Sequence, residues 1–204
     1  FLDSLGRLNK KLKEEKSEKS VVAFIWVPEH TMERKRTVME NMAMFEHIEE
    51  MVEKEGTNIE GKILRSFSKG TPPEKMHVFT KDFLMDMKKM QLQLKSKHDQ
   101  LPPITPFDLF SDNAITKGLE KNGLNNKKED KVKVVYYPSY LSTSDGLLGM
   151  NYYDAMTGCH VGIFPSYYES WGYTPLEAAA LGLQSITTDL SGFGKFIQPY
   201  IKKD

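Results

Sequence analysis

The sequence has a single cysteine, no net charge and no long apolar run. One cysteine, Cys159, excludes an intramolecular disulfide and favours a reducing compartment, so we expect a cytoplasmic protein. The 28 Lys and Arg residues balance the 28 Asp and Glu residues, which argues against a general attraction to nucleic acid or to an anionic membrane. No apolar run reaches the roughly 18 residues of a membrane span. We therefore expect neither nucleic acid nor membrane as a partner, and any phosphate must bind at a local site.

The chain length and the spacing of the histidines limit the possible domain organisation and argue against a metal site. The 204 residues, of which 39% are hydrophobic, suffice for one sizeable core with an insertion. The chain begins at Phe1 within a helical pattern and without a signal-peptide pattern, so we expect a piece of a longer polypeptide. The five histidines show no metal-ligand spacing, and we expect no metal and no other cofactor.

The two ends of the chain alternate between helical and strand patterns. Leucines at helical spacing precede the apolar run at 20–28, which predicts a helix followed by a buried strand. Further strand patterns lie at 131–138, 159–166 and 185–189, with short helices predicted between them. Strands separated by helices predict an α/β fold with a parallel, doubly wound, Rossmann-like sheet, formed by residues 1–30 and 129–204.

The middle of the chain has a different character. Between residues 31 and 128, apolar residues recur on two helical faces among dense Lys and Glu, and breaker-rich loops separate them. This pattern predicts a mainly helical insertion with two long amphipathic helices. Such faces either cover their own domain or pack against another copy of the chain; the length of the insertion favours a homo-oligomer.

The stretch FPSYYESWGYTPLEAAALGLQSITTDLSGFG, residues 164–194, predicts a ligand site. A strand there runs into a loop, and a helix begins directly after it, at the edge where open α/β sheets bind ligands. Helix N-termini present unpaired N–H groups to phosphate. Gly172 allows close approach of the backbone, Thr174 can cap the helix, and Pro175 suits the first turn. The pattern predicts a phosphate site without lysine.

Two carboxylates in this stretch suggest what else the site binds. Glu169 lies in the loop and Glu177 in the helix, and both side chains can face the same ligand-binding opening at the end of the strand. Carboxylates accept hydrogen bonds from vicinal hydroxyls, so a phosphate site with two of them indicates a sugar nucleotide. The alternative is that the helix dipole alone favours an acid at Glu177 and that the aromatic residues form a core.

Residues 159–194, CHVGIFPSYYESWGYTPLEAAALGLQSITTDLSGFG, resemble the signature of the glycogen synthase family of the animal and fungal type. The resemblance extends to the opening helix and strand, to LPPITPFDL, to YYPSYL and to LLGMNYYD, and so covers nearly the whole chain. It implies the C-terminal domain of a two-domain GT-B enzyme, a hexosyltransferase. The segment AAALG has a bacterial character, so we expect a bacterial member.

The resemblance implies a reaction and a catalytic residue. Enzymes of this family transfer glucose from UDP-glucose to the non-reducing end of an α-1,4-glucan, with retention of configuration. Glu169 would contact the donor glucose and help orient an oxocarbenium-like transition state, while the leaving diphosphate serves as base in a front-face transfer.

The same resemblance implies the donor-binding residues. Gly172, Tyr173 and Thr174 would hold the diphosphate, Glu177 would hold the ribose, and Tyr152 would stack on uracil. Trp171 would shape the loop.

The resemblance also implies partners that this chain does not supply. An Arg and a Lys that stabilise the leaving diphosphate would precede Phe1, and the N-terminal GT-B domain would bind the acceptor. We therefore expect the fragment alone to be inactive. Two alternatives stay open: a retaining GT-B glycosyltransferase with another sugar nucleotide, such as an ADP-sugar, and a non-catalytic module that binds a nucleotide or a partner protein.

Overall fold

The computed structural model describes residues 1–70, 78–97, 101–110 and 112–201, without the side chains of 95–97. These residues form two compact units, one from Leu2 to Pro138 and one from Ser139 onward, with Phe1 joining the second. This division does not test the boundaries predicted for the insertion, residues 31 and 128, which stay a prediction.

Both units combine helices with short strands. The described elements of the first unit are α1 (Leu2–Glu14), β1 (Val21–Ile25), β2 (Thr31–Arg34), α2 (Arg36–Ser68), α3 (Lys81–Lys97), β3 (Phe107–Leu109), α4 (Ala114–Lys121) and β4 (Val132–Tyr136). Those of the second are α5 (Tyr152–Thr157), β5 (Val161–Phe164), α6 (Tyr173–Ala180), β6 (Gln184–Thr187), α7 (Gly192–Ile197) and a 3-10 turn over Gln198–Tyr200.

The core of the first unit lies between α1, α4 and a parallel strand pair. β1 and β4 pair in register from Val21 with Val132 to Ile25 with Tyr136. Leu5 of α1 and Leu119 of α4 belong to the same buried cluster as the inward side chains of β4. Burial of these apolar side chains is the main force that holds the helices on the strands. The predicted opening helix and strand are confirmed.

A buried polar network joins α1 to the start of β4. The Asn9 amide nitrogen donates to Asp130 Oδ1 at 3.0 Å, and its oxygen accepts from the N–H groups of Lys131 and Val132 at 2.8 and 3.1 Å. Lys13 Nζ lies 3.2 Å from the same Asp130 oxygen. Asn9 and Asp130 are only 4% and 3% exposed, so these hydrogen bonds satisfy groups that would otherwise be costly to bury.

The two helices expected in the middle of the chain correspond to α2 and α3, of 33 and 17 residues. Glu55 of α2 accepts a hydrogen bond from the Thr80 N–H at 2.7 Å, and the Thr80 hydroxyl accepts from Phe83 N–H in the first turn of α3. The bond from the Thr80 backbone is the main cause of the lowered pKa of Glu55, whose burial acts in the opposite direction. A carboxylate of one helix therefore fixes the start of the next.

The second unit contains a complete strand–helix–strand unit. β5 and β6 pair in parallel, from Val161 with Gln184 to Phe164 with Thr187, and α6 connects them. Ala178 of α6 is fully buried, and a Cβ at Gly162 of β5 would be in ordinary contact with it, 3.5 Å away. The predicted strands at 159–166 and 185–189 are confirmed.

Hydrogen bonds join the described strands into three two-stranded sheets, β1–β4, β2–β3 and β5–β6. The first and third are parallel, as expected of an α/β protein, whereas β2 and β3 are antiparallel and lie within the segment predicted to be mainly helical. The structure is thus a mixed α/β fold with parallel strand pairs and one long helix. The small sheets do not amount to one doubly wound sheet.

Within the described residues, no helix combines the length and the apolar character that crossing a membrane requires.

Candidate functional site

The loop that follows β5 leads into α6 through a glycine with a left-handed backbone. Gly172 is the N-cap residue of α6, with φ of 90° and ψ of 82°, and no side chain caps this helix. A Cβ at Gly172 would lie 3.0 Å from Glu169 Oε2. The left-handed backbone favours glycine here, and a Cβ at this position would also press against the Glu169 carboxylate. The expectation that Thr174 caps the helix is wrong, because the cap position is Gly172 and Thr174 is the second residue of the helix.

Hydrogen bonds hold Glu169 in this loop through both its side chain and its main chain. The Ser166 hydroxyl donates to Glu169 Oε2 at 3.2 Å. The main chain of Glu169 forms a parallel bridge with Ser191, and its carbonyl accepts from Gly192 N–H at 3.1 Å. The predicted catalytic residue therefore has a defined position beside the N-terminus of α6.

Two glycines of the SGFG segment, in the first turn of α7, allow this helix start to pack closely against neighbouring main chain. A Cβ at Gly192 would overlap the carbonyl oxygen of Ser170, and a Cβ at Gly194 would overlap the carbonyl oxygen of Thr188. Ser191, 1% exposed, caps α7 by accepting from Gly194 N–H at 3.0 Å. The segment thus supports the loop that carries Glu169.

Trp171 packs among aromatic residues of α7. Its ring centroid lies 6.0 Å from that of Phe193 in an edge-to-face arrangement and 5.6 Å from that of Phe196. The Phe193 N–H also donates to the Trp171 carbonyl at 2.7 Å. These contacts agree with a role for Trp171 in shaping the loop.

The second predicted carboxylate, Glu177, lies beside two tyrosines of α5. The Tyr153 hydroxyl donates to Glu177 Oε1 at 3.3 Å, and the Tyr152 and Tyr153 ring centroids are 5.6 Å apart. Burial, followed by the charge of Glu177, raises the pKa of Tyr152, whereas the charge of Glu177 is the first cause of the raised pKa of Tyr153. The charge of Glu177 thus acts on both tyrosines of α5.

The six predicted site residues all lie in the second unit. Four of them form two pairs, one of Glu169 with Gly172 and one of Tyr152 with Glu177. Tyr173 is 66% exposed and Thr174 is half-buried, both in the first turn of α6.

Sequence reasoning missed Ser166 and Tyr153, which hold the two carboxylates. Ser166 precedes Glu169 by three residues in the same loop, a spacing that could have suggested a local hydrogen bond. Tyr153 is separated from Glu177 by 24 residues, and no sequence pattern links them.

A cavity of about 520 Å³ lies elsewhere in the second unit, along β6 and α7. Ile186, Phe193 and Ile197 contribute apolar walls, and Thr188 and Gln198 contribute polar groups. None of the six predicted residues lines it, so this cavity does not mark the predicted site.

Among the residues described, no cluster of three or more His, Cys, Asp or Glu side chains is arranged to hold a metal ion. The charged groups of the predicted site are the two glutamates.

Comparison with known proteins relates the whole chain to one family. A family model described as glycogen synthase matches residues 1–204. The chain is 36% identical over 207 residues to "Glycogen [starch] synthase, liver" of Mus musculus, covering 98% of this chain and 29% of that protein. It is 34% identical to "Glycogen [starch] synthase" of Caenorhabditis elegans, covering 99% of this chain and 30% of that protein. It is 32% identical to "Glycogen [starch] synthase isoform 1" of Saccharomyces cerevisiae, covering 100% of this chain and 30% of that protein.

The chain matches only part of each of these relatives. The chain spans 29–30% of their length. They come from animals and yeast, and therefore give no support to the bacterial origin expected from the AAALG segment.

Proposed function

Since this chain belongs to the glycogen synthase family, we propose that it forms the donor-binding part of a retaining glycosyltransferase. The enzyme transfers glucose from UDP-glucose to the non-reducing end of an α-1,4-glucan. The observation that carries this proposal is the placement of Glu169 against Gly172 at the N-terminus of α6. A carboxylate and a close backbone approach there suit a sugar and a phosphate at adjacent positions.

The diphosphate binds at the first turn of α6. This helix has no side-chain cap, and its dipole favours an anion at its N-terminus. Gly172 brings the main chain close to the ligand, and the exposed Tyr173 and the half-buried Thr174 contribute hydroxyl groups. No metal is required for this binding.

The nucleoside binds beside Glu177 and Tyr152. The carboxylate of Glu177 accepts hydrogen bonds from the ribose hydroxyls, and the ring of Tyr152 stacks on the uracil. Their proximity supports this assignment, because the charge of Glu177 acts on the pKa of the Tyr152 phenol.

Glu169 acts on the donor glucose rather than as a nucleophile. Its carboxylate contacts the glucose hydroxyls and stabilises positive charge at the anomeric carbon, while the leaving diphosphate accepts the proton of the attacking hydroxyl. Ser166 and the main-chain bridge to Ser191 support this role by fixing the carboxylate before the donor binds.

Turnover requires more than these 204 residues. The departing diphosphate gains negative charge, and the Arg and Lys that the family resemblance implies for stabilising it are not within the matched segment. We propose that these two residues and the acceptor-binding domain belong to the rest of a GT-B enzyme, located in the cytoplasm. The Rossmann-like, doubly wound fold expected of residues 1–30 and 129–204, with residues 31–128 as an insertion, is part of this proposal.

The insertion mediates homo-oligomer formation. α2 exposes large apolar side chains, among them Phe45 at 59%, Val52 at 50% and Leu64 at 63%. Burying such side chains against a second copy is favourable.

The proposed reaction is tested by incorporation of labelled glucose from UDP-glucose into glycogen, with the full-length protein. We expect Glu169→Gln to lower kcat by about 100-fold, because the amide cannot supply the negative charge that stabilises the transition state. The affinity for UDP should change by less than about threefold, since UDP contains no glucose.

The exposed carboxylate of Asp189 provides a matched control. Asp189→Asn makes the same acid-to-amide change and should leave kcat unaltered. Wild-type turnover by Glu169→Gln would refute the catalytic role of Glu169. UDP binding without any transfer by the wild-type protein would favour a non-catalytic module, and preferential use of ADP-glucose would favour the other sugar-nucleotide transferase.

A further inference from the structure

Tyr153 is held in a defined position by the start of α5. The N-cap residue, Asn151, accepts a hydrogen bond from Asp154 N–H at 2.9 Å through its side chain, which fixes this first helical turn. The Tyr153 ring packs against the ring of Tyr152 at an interplanar angle of 58°. The ring contact and the capped turn restrict the positions open to the half-exposed Tyr153 hydroxyl, which can therefore help to define the position of a partner.

That partner is one oxygen of the Glu177 carboxylate. Tyr153 donates to Oε1 at 3.3 Å, and a carboxylate has about four acceptor positions, so Oε2 and one position on Oε1 can accept from a ligand. A free glutamate side chain samples many rotamers, and ordering it on binding costs conformational entropy. A hydrogen bond present before binding reduces that cost.

The raised pKa of Tyr153 keeps its hydroxyl protonated, so that it can donate a hydrogen bond. The charge of Glu177 and the hydrogen bond to it raise the pKa of Tyr153 above that of an ordinary tyrosine. Its hydroxyl therefore keeps its proton throughout the neutral range and donates to the carboxylate.

We propose that Tyr153 is a positioning residue for Glu177, holding the carboxylate in the orientation that accepts hydrogen bonds from the ribose hydroxyls of a nucleoside diphosphate. This inference rests on the proposed function, because it takes Glu177 as the ribose-binding residue. It assigns to Tyr153 no contact with the ribose, so its effect must disappear when the ligand lacks those hydroxyls.

Isothermal titration of the full-length protein with UDP and with 2′,3′-dideoxy-UDP tests this. Tyr153→Phe keeps the ring and removes the donor. We expect it to weaken UDP binding by about 3- to 10-fold, the range for one lost hydrogen bond, and to leave dideoxy-UDP binding unchanged within about twofold. Tyr167→Phe, the same change at a side chain that is 97% exposed, should alter neither affinity.

A double-variant cycle separates positioning from a general structural effect. In a Glu177→Ala background, Tyr153→Phe should have no further effect on UDP binding, because the group that Tyr153 positions is gone. Equal weakening of both nucleotides by Tyr153→Phe, or an undiminished effect in the Glu177→Ala background, would overturn the positioning role. Thermal unfolding of each variant verifies that the half-exposed Tyr153 position tolerates the change.

The outcomes also distinguish this inference from the function on which it rests. If the wild-type protein prefers UDP over dideoxy-UDP and Tyr153→Phe preserves that preference in full, only the role of Tyr153 fails. If the wild-type protein binds the two nucleotides equally, the ribose role of Glu177 fails, and the inference fails with it.

Discussion

Gly172 and Glu169 show, at the scale of single residues, how the absence of one side chain positions another. A Cβ at Gly172 would lie only 3.0 Å from Glu169 Oε2, so the carboxylate has room in its present position because residue 172 has no side chain. The left-handed backbone at Gly172 in turn directs the chain into α6. An alanine here would therefore alter both the start of the helix and the position of Glu169, the proposed catalytic residue.

We predict that Gly172→Ala lowers glucose transfer by more than about 10-fold, because it displaces Glu169 and strains the backbone by roughly 1–2 kcal/mol. Gly182→Ala is the matched control: Gly182 has a φ of 83°, but a Cβ there would meet nothing within 4 Å. Steady-state kinetics and thermal unfolding of the two variants separate backbone strain from displacement of the carboxylate. Equal losses of activity would contradict this interpretation.

The sequence predicted site residues where neighbours in the chain carry the signal. Glu169, Gly172 and Glu177 flank one helix start, and a loop that ends in glycine before a helix is recognisable from residue order alone. The contact of Tyr153 with Glu177 was not predictable, because it depends on how α5 and α6 pack against each other, and no local pattern records that packing.

At the scale of elements, the network of Asn9 and Asp130 determines where α1 meets β4. Burial by itself would raise the pKa of Asp130, but hydrogen bonds from Asn9, Lys13 and the Lys127 N–H together hold the pKa below its ordinary value. A lowered folded-state pKa means that ionised Asp130 stabilises the fold above its unfolded-state pKa of about 3.9. This stabilisation is lost as the pH falls through the folded-state pKa.

We predict that Asp130→Asn lowers the urea midpoint at neutral pH and that the difference from the wild-type protein narrows below about pH 4. Protonation of Asp130 removes from the wild-type protein the interaction that the variant already lacks. Asp108→Asn changes an exposed carboxylate and serves as the control. A difference in midpoint that is independent of pH would show that charge on Asp130 does not contribute.

Elements with a sustained pattern were predictable, and short ones were not. The leucine spacing of α1 and the apolar runs of β1 and β4 predict those elements correctly, since each repeats its pattern over several residues. β2 and β3 have four and three residues, and their pairing of Thr31 with Leu109 joins distant parts of the chain. Three or four residues are too few to show the alternation of apolar and polar side chains that identifies a strand. Pairing between distant segments leaves no local pattern in the sequence.

At the scale of the whole molecule, the exposed apolar side of α2 bears on assembly. Phe45 and Val52 are seven residues apart, about two helical turns, and therefore lie on one side of the helix. Lysines at both positions would place like charges in an interface between copies and would remove apolar area from it.

We predict that the double variant Phe45→Lys/Val52→Lys lowers the mass of the full-length protein in sedimentation equilibrium. Tyr140→Lys, a change at a residue 81% exposed in the second unit, should leave the mass unaltered. An unchanged mass of the double variant would contradict assembly through this side of α2, and would favour a helix that only covers its own domain.

The architecture of the whole molecule was predictable only in part. The strand–helix alternation indicates parallel pairing, and β1–β4 and β5–β6 are indeed parallel. Alternation does not determine which strands become neighbours, because strand order depends on crossovers between distant segments. The two-domain GT-B architecture rested on the family resemblance rather than on any pattern within the chain.

Gly192 and Gly194 restrict how this sequence can vary through evolution. Every missense change of one nucleotide in a glycine codon introduces a Cβ, and at these positions that carbon would overlap the carbonyl oxygens of Ser170 and Thr188. Both obstructing atoms belong to the main chain, so a substitution elsewhere cannot delete them. A Cβ at either position can be accommodated only by a shift of the backbone, and a genetic screen for suppressors of either glycine variant should recover mostly true revertants.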